Sequence, residues 1–222
     1  EFRRVLFRSD KGTTGGMGSA GTLGGIATFN TVSASDFLAP GKELGGKLHA
    51  STGDNGTHFI GSGILALGNE TGDILLAASE RHLGDYWPGN KGDIGNIRIN
   101  NDTGKYDRYA ESIKNNKIPD TNYRMHSRLA KVGWNLPANQ RLQLSYLQTQ
   151  TASPIAGTLT NLGTRPPYEL GWKRTGYSDV MARNAAFDYS LAPEGVDWLD
   201  FQAKLYYVDT QDDSDTYSTS SL

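Results

Sequence analysis

Connection lengths constrain this chain more than any of its segments does. Read for period-two alternation, the sequence yields seven strands, over residues 45–51, 59–67, 73–82, 125–136, 141–149, 180–191 and 198–209. The links between them run short, short, long, short, long, short. If the first strand rises, connections 68–72, 137–140 and 192–195 share one side, and all are short. The connections on the other side are 54–56, 83–124 and 151–179, and two of these are long. A soluble sandwich has no reason to sort its loops by parity. A membrane barrel does, because its turns are short on the periplasmic side and its loops longer outside.

The strand faces point the same way. Ala130, Val132, Trp134 and Leu136 share one face, as do Leu142, Leu144 and Tyr146, and Leu199, Phe201, Ala203, Leu205 and Tyr207. Lys131, Gln143, Asp188, Gln202 and Lys204 fall on the opposite rows, which suits a wet lumen or contact with a plug. Trp134, Trp198, Tyr189 and Tyr207 are expected near strand ends, where membrane barrels carry aromatic girdles. Arg183 interrupts an apolar row and fits only near an interface. A soluble antiparallel sheet with one solvated face would show a similar alternation. The net charge of −2 argues against a nucleic-acid partner. The absence of cysteine excludes a disulfide scaffold and thiolate metal sites.

Ahead of the strands lies a glycine-rich stretch. Gly16-x-Gly18-x-x-Gly21 matches a dinucleotide fingerprint, but that motif must follow a strand and open a helix. Here little before Gly16 reads as a strand. The run Ile26-Ala27-Thr28-Phe29-Asn30-Thr31-Val32, just after the glycines, alternates like a strand. The stretch from Gly21 to Val32 resembles the last plug strand of TonB-dependent outer-membrane receptors. Asp36-Phe37-Leu38, Gly41-Lys42, Gly45-Gly46 and Gly53-Asp54-Asn55-Gly56-Thr57 continue the resemblance, with spelling closest to the haem and haemoglobin receptor branch.

That resemblance implies an all-β fold: an incomplete antiparallel transmembrane β-barrel, about seven strands out of about 22, preceded by the last strand of a plug. It implies residence in the Gram-negative outer membrane, in contact with its lipid. It also implies uptake of an iron-bearing ligand (haem, a haemoprotein or a siderophore), energised by a TonB-type complex whose contact box falls outside this chain. Residues 1–9 read as a translated cloning and sequencing adaptor, residues 10–40 as plug end and linker, and residues 41–222 as barrel truncated at its C-terminus. The closing run Asp212-Asp213-Ser214-Asp215 reads as polar chain without a strand.

Residues 110–117 read as a helical turn inside the first long loop. At that loop's mouth, His82, Asp85, Tyr86 and Trp87 form a candidate ligand-contact patch. The second long loop offers Tyr168, Trp172 and Arg174, a basic-aromatic cluster suited to an anionic ligand, a protein surface or lipopolysaccharide. None of His49, His58, His82 and His126 has a second ligand at metal spacing on a helix. No nucleophile elbow or carboxylate pair stands out, so the sequence names no catalytic residue, metal or cofactor. The competing expectation is a secreted or periplasmic β-sandwich, a carbohydrate-binding module or glycosidase fragment.

Overall fold

The structure, a computed structural model, describes residues 6–10, 14–16, 19–22, 26–87, 117, 120–155, 158–161, 170–173, 176–196 and 198–216. Four short strands come first: β1 (Leu6–Asp10), β2 (Thr14–Gly16), β3 (Ser19–Thr22) and β4 (Ile26–Asn30). β1 pairs antiparallel with β4, and β2 with β3. Strands therefore do precede Gly16, against expectation. Leu6 to Asp10 complete a backbone ladder along β4, because an unpaired strand edge accepts any extended segment. Among the described residues the glycine fingerprint opens no helix: Gly16 ends β2, Gly21 lies in β3, and β4 follows.

A short 3-10 helix, Ala34–Asp36, occupies the expected linker. The Asp36 carboxylate accepts a hydrogen bond from the Ser33 backbone N–H at 2.8 Å, which fixes its start. Then come β5 (Leu44–Ser51), β6 (Thr57–Gly68), β7 (Gly72–Leu83), β8 (Tyr123–Leu136), β9 (Gln140–Ile155), a small hairpin of β10 (Thr158–Asn161) and β11 (Leu170–Lys173), β12 (Gly176–Leu191) and β13 (Phe201–Thr216). β5 to β9, β12 and β13 form one sheet of seven strands in sequence order, every pair antiparallel. Among the described residues no second sheet packs face to face on it, so the sandwich expectation is not met.

Loop parity holds. Leu83 pairs with Tyr123, Arg124 with Ala152, and Ile155 with Gly176, so both long connections leave the same rim. The short turns after β6, β8 and β12 gather at the other rim, while the β5–β6 hairpin stays beside the first long connection. One of them reverses through Ala138 and Asn139, both at left-handed φ, the geometry of a tight hairpin.

Register sorts the two faces. On the outer face Ile74, Val132, Leu144, Phe187 and Leu205 form one row across five strands. Leu76, Ala130, Tyr146, Ala185 and Tyr207 form the next row up. These rows are bare: Leu205 is 71% exposed and Tyr207 64%. Trp134 and Tyr189 close the belt below, as expected. Tyr207 is a correction, because it lies inside β13 rather than at its end; with Tyr146 it forms an aromatic level just under the upper boundary. Immediately above come Ala78, Arg128, Gln148, Arg183 and Asp209, a polar row. Arg183 thus sits at the interface and is held by Asp209 at 3.0 Å. From Leu136 up to Arg128 the strand climbs about 27 Å, or about 20 Å of height at a typical barrel tilt, near the apolar band of about 25 Å.

The inner face is divided. Toward the short-turn rim it is polar, with Arg141 on Asp73 at 2.6 Å and Lys204 on Asp188 at 2.9 Å. Further up, Ala66, Leu75, Ala77 and Leu129 are buried, although they belong to a wall one strand thick. What buries them is the linker: Val32 and Ala34 join the same cluster, and Phe37 and Leu38 pack around it. The linker ahead of β5 is seated on the inner side of the wall.

Candidate functional site

Two places join elements that the sequence keeps far apart. The first is where the linker ahead of β5 meets the wall. Lys131 is buried on the lumen face of β8, and its Nζ donates to the Thr31 carbonyl at 3.0 Å. The alternation puts Lys131 on the row meant for lumen or plug contact, and here it makes that contact. Replacing Lys131 with methionine keeps the aliphatic stem but leaves the carbonyl without this donor. The loss should be about 1 kcal/mol, because relief of a buried charge offsets part of the broken bond. Thermal unfolding of the intact receptor in detergent measures it, with Lys131→Arg expected to keep most of the stability.

The second place is the mouth of the first long loop. Just past β7, one oxygen of Asp85 accepts four hydrogen bonds from the returning chain. The donors are the backbone N–H groups of Thr121 and Asn122, each at 3.0 Å, the Asn122 side-chain amide at 2.9 Å and the Thr121 hydroxyl at 3.5 Å. The Tyr86 N–H donates to the Thr121 hydroxyl at 3.3 Å. Burial pushes the Asp85 carboxyl up, but the bonds from Asn122 and Thr121 outweigh it and hold the group below its ordinary value.

The first hairpin closes the other side of this stem. The Gly84 N–H donates to the Gly56 carbonyl at 2.7 Å, and the Trp87 N–H donates to the Asn55 side-chain oxygen. Gly56 has φ +85°, and a Cβ there would sit 2.7 Å from the Asp85 carbonyl oxygen. The Asn-Gly pair thus serves both the turn and the close approach of the loop base. His58 lies edge-on to His82, ring centroids 4.7 Å apart. Register places His82 on the outer side of the wall, in column with Arg124 and Asp179.

Of the sequence candidates, Asp85, Tyr86 and Trp87 come together at this stem. Tyr86 and Trp87 are about half exposed, and the stem presents them as neighbouring aromatic surfaces. Tyr168 and Arg174 lie outside the described residues, as does most of the stretch read as a helical turn. Trp172 lies on β11. Sequence reasoning missed Asn55, Thr121 and Asn122. The Asn-Gly turn was visible, but nothing local signals that its oxygen reaches Trp87. The site as described has bases for aromatic, hydrogen-bonding and electrostatic contact. Among the described residues no cluster of three or more His, Asp or Glu could hold a metal ion.

No protein-family model matches the sequence. Curated relatives do. A hemin receptor of Yersinia pestis is 29% identical over 196 residues, covering 86% of this chain and 24% of the relative. A hemophilin receptor of Acinetobacter baumannii is 23% identical over 250 residues, covering 89% and 23%. Among solved structures, a double mutant of the Serratia marcescens hemophore receptor HasR, in complex with its hemophore HasA and heme, is 80% identical. It superposes with a TM-score of 0.71 over 94% of this chain and 26% of that one. The FrpB iron transporter of Neisseria meningitidis, 17% identical, shares the fold with a TM-score of 0.65. The chain spans about a quarter of the length of these relatives. A wall with a lipid-ready outer face, loops sorted by side and a linker docked on its inner face, taken with these matches, has one reading: the chain belongs to the TonB-dependent outer-membrane receptors, on their haem-receptor branch.

Proposed function

We propose that this chain is the plug exit and first wall strands of a receptor that takes up haem offered by a carrier protein outside the cell. Residues 10–40 are plug end and linker, and residues 41–222 are the start of the barrel. The observation that carries the reading is the 80% identity to a receptor solved with hemophore and heme. The geometry supports it: the long loops share one rim, and the stem built on Asp85 presents Tyr86 and Trp87 there. His82, Asp85, Tyr86, Trp87, Tyr168, Trp172 and Arg174 are the proposed ligand-side residues. No bond is made or broken. Capture by the loops precedes plug rearrangement, powered through a TonB-type partner.

The test is growth. The intact receptor, expressed in a Gram-negative host without its own haem uptake, should permit growth on haem or haem-loaded carrier as sole iron source. Growth should disappear when the TonB-type partner is deleted. A receptor that reaches the outer membrane, yet neither binds haem or carrier nor restores growth, would overturn the reading.

A further inference from the structure

We propose that the outer face of β5 to β9 holds a specific seat for a phosphorylated, multiply acylated glycolipid of the outer leaflet, with Arg128 on its phosphate. The apolar belt is not level there. Gly46, Gly63, Ala78 and Ala130 leave a groove of about 1060 Å³ beside Leu48 and Tyr146. A second groove of about 550 Å³ continues toward the long-loop rim and shares Leu48, Gly63, Ala78 and Arg128 with the first. Arg128 stands where the two meet. Below it the lining is aliphatic and fits an acyl chain; above it lie His126 and Glu80.

Charge decides the occupant. The carboxylate on the outward positions of β5 to β9, Glu80, faces His126 at 3.9 Å, and on β13 Asp209 holds Arg183 at 3.0 Å. Arg128 is exposed and, among the described residues, has no hydrogen bond or ion pair. Arg124, four residues further up the same face, is exposed as well. A cation facing hydrocarbon is unfavourable by about 2–4 kcal/mol at midplane and by about 0–1 near the interface. Arg128 lies on the first polar row above the belt, at the level where lipid phosphates lie. A guanidinium meets a phosphate with paired, charge-assisted bonds. The long-loop side faces outward, so the lipid comes from the outer leaflet, whose phosphorylated lipid is lipopolysaccharide. The inference rests on the membrane orientation and not on haem uptake.

Native mass spectrometry tests it on the intact receptor, extracted in mild detergent and titrated with purified lipopolysaccharide. The wild type should retain one lipopolysaccharide molecule. Arg128→Glu should weaken that binding at least about tenfold, the equivalent of about 1.4 kcal/mol. Arg128→Gln, a gentler change, should weaken it in the same direction. Ala78→Phe, which fills the groove floor and leaves the arginine in place, should also displace the lipid. Haem-carrier binding serves as the folding control and should be unchanged in all three. If the lipid stays bound to the three variants as to the wild type, or if de-phosphorylated lipopolysaccharide binds equally well, the seat does not exist as described.

Discussion

A valine at position 45 should lift the linker ahead of β5 off the wall of the intact receptor. Gly45 lies on the lumen side of β5, paired with Ala66. A Cβ built there would fall 2.0 Å from the Phe37 carbonyl oxygen and 2.8 Å from its carbon. Both are backbone atoms at the end of the 3-10 helix, so no side chain can rotate away. Either the linker rises or β5 bends. The first is the easier motion, because β5 is tied along its length to β6. Lifting the linker separates Val32 and Ala34 from Ala66, Leu75, Ala77 and Leu129, the buried apolar cluster among the described residues. Overpacking of a site that can relax costs about 1–3 kcal/mol, and a site limited by backbone belongs at the top of that range. Hydrogen exchange reads the effect directly. The amides of Asp36, Phe37 and Leu38 donate to Ser33 and Ala34 carbonyls, and their protection should fall roughly a hundredfold, the equivalent of about 3 kcal/mol. Gly53→Ala is the control, because a Cβ there meets only Thr57, at an ordinary 3.4 Å. Unchanged protection in Gly45→Val would mean that the linker is not seated on the wall.

The same seat explains where the sequence was hard to read. The alternation over 59–67 and 73–82 is blurred because both faces of β6 and β7 are apolar: one meets lipid and the other meets the linker. Leu75 and Leu76 are adjacent in sequence, yet Leu75 is fully buried and Leu76 is 48% exposed. No period-two rule separates lipid from plug. The opposite failure occurs above the belt. There the outward row reads His126, Gln150, Met181, Gln211 and the inward row Ser127, Thr149, Ala182, Thr210. Both faces are wet, and the pattern vanishes although the ladder continues. β9 therefore runs on to Ile155 instead of stopping at Thr149, and β12 begins at Gly176 rather than Val180. β13 begins at Phe201, not at Trp198, and runs through the acidic residues Asp212, Asp213 and Asp215 to Thr216. Those residues were expected to lie outside any strand. Backbone pairing to β12 overrides their poor β-propensity. The lower half of the wall was legible because there, and only there, one face is lipid and the other water. At the loop mouth, Asp85 stood out in the sequence as a charged residue beside two aromatics. Its partners lie 36 and 37 residues on, and no local pattern carries such a pairing.

Asp85→Ala should open that stem. Four donors converge on one carboxylate oxygen, and alanine leaves two backbone N–H groups, an amide and a hydroxyl without it. Bonds to a charged acceptor are worth about 1.5–3 kcal/mol each when nothing replaces them. Water reaches this partly exposed site and recovers much of that, so the net local loss should be about 2–3 kcal/mol. Asp85→Asn keeps an acceptor oxygen without its charge and should lose about half as much. Limited proteolysis of the receptor on intact cells gives the readout: cleavage between residues 83 and 123 should become many times faster in Asp85→Ala and moderately faster in Asp85→Asn. Affinity for the haem carrier should fall in the same order if Tyr86 and Trp87 contact it, because the ordering of the stem would then be drawn from binding energy. The pH dependence has a definite sign. The folded carboxyl is held below its ordinary value, so the stem's stability is fully present above the unfolded carboxylate range, about pH 4. It drains as pH falls through the still lower folded value. Protection of the Thr121 and Asn122 amides should therefore stay level from neutrality down to about pH 4 and decline only in stronger acid. A stem that loosens already between about pH 7 and pH 5 would remove Asp85 as the group that holds the loop.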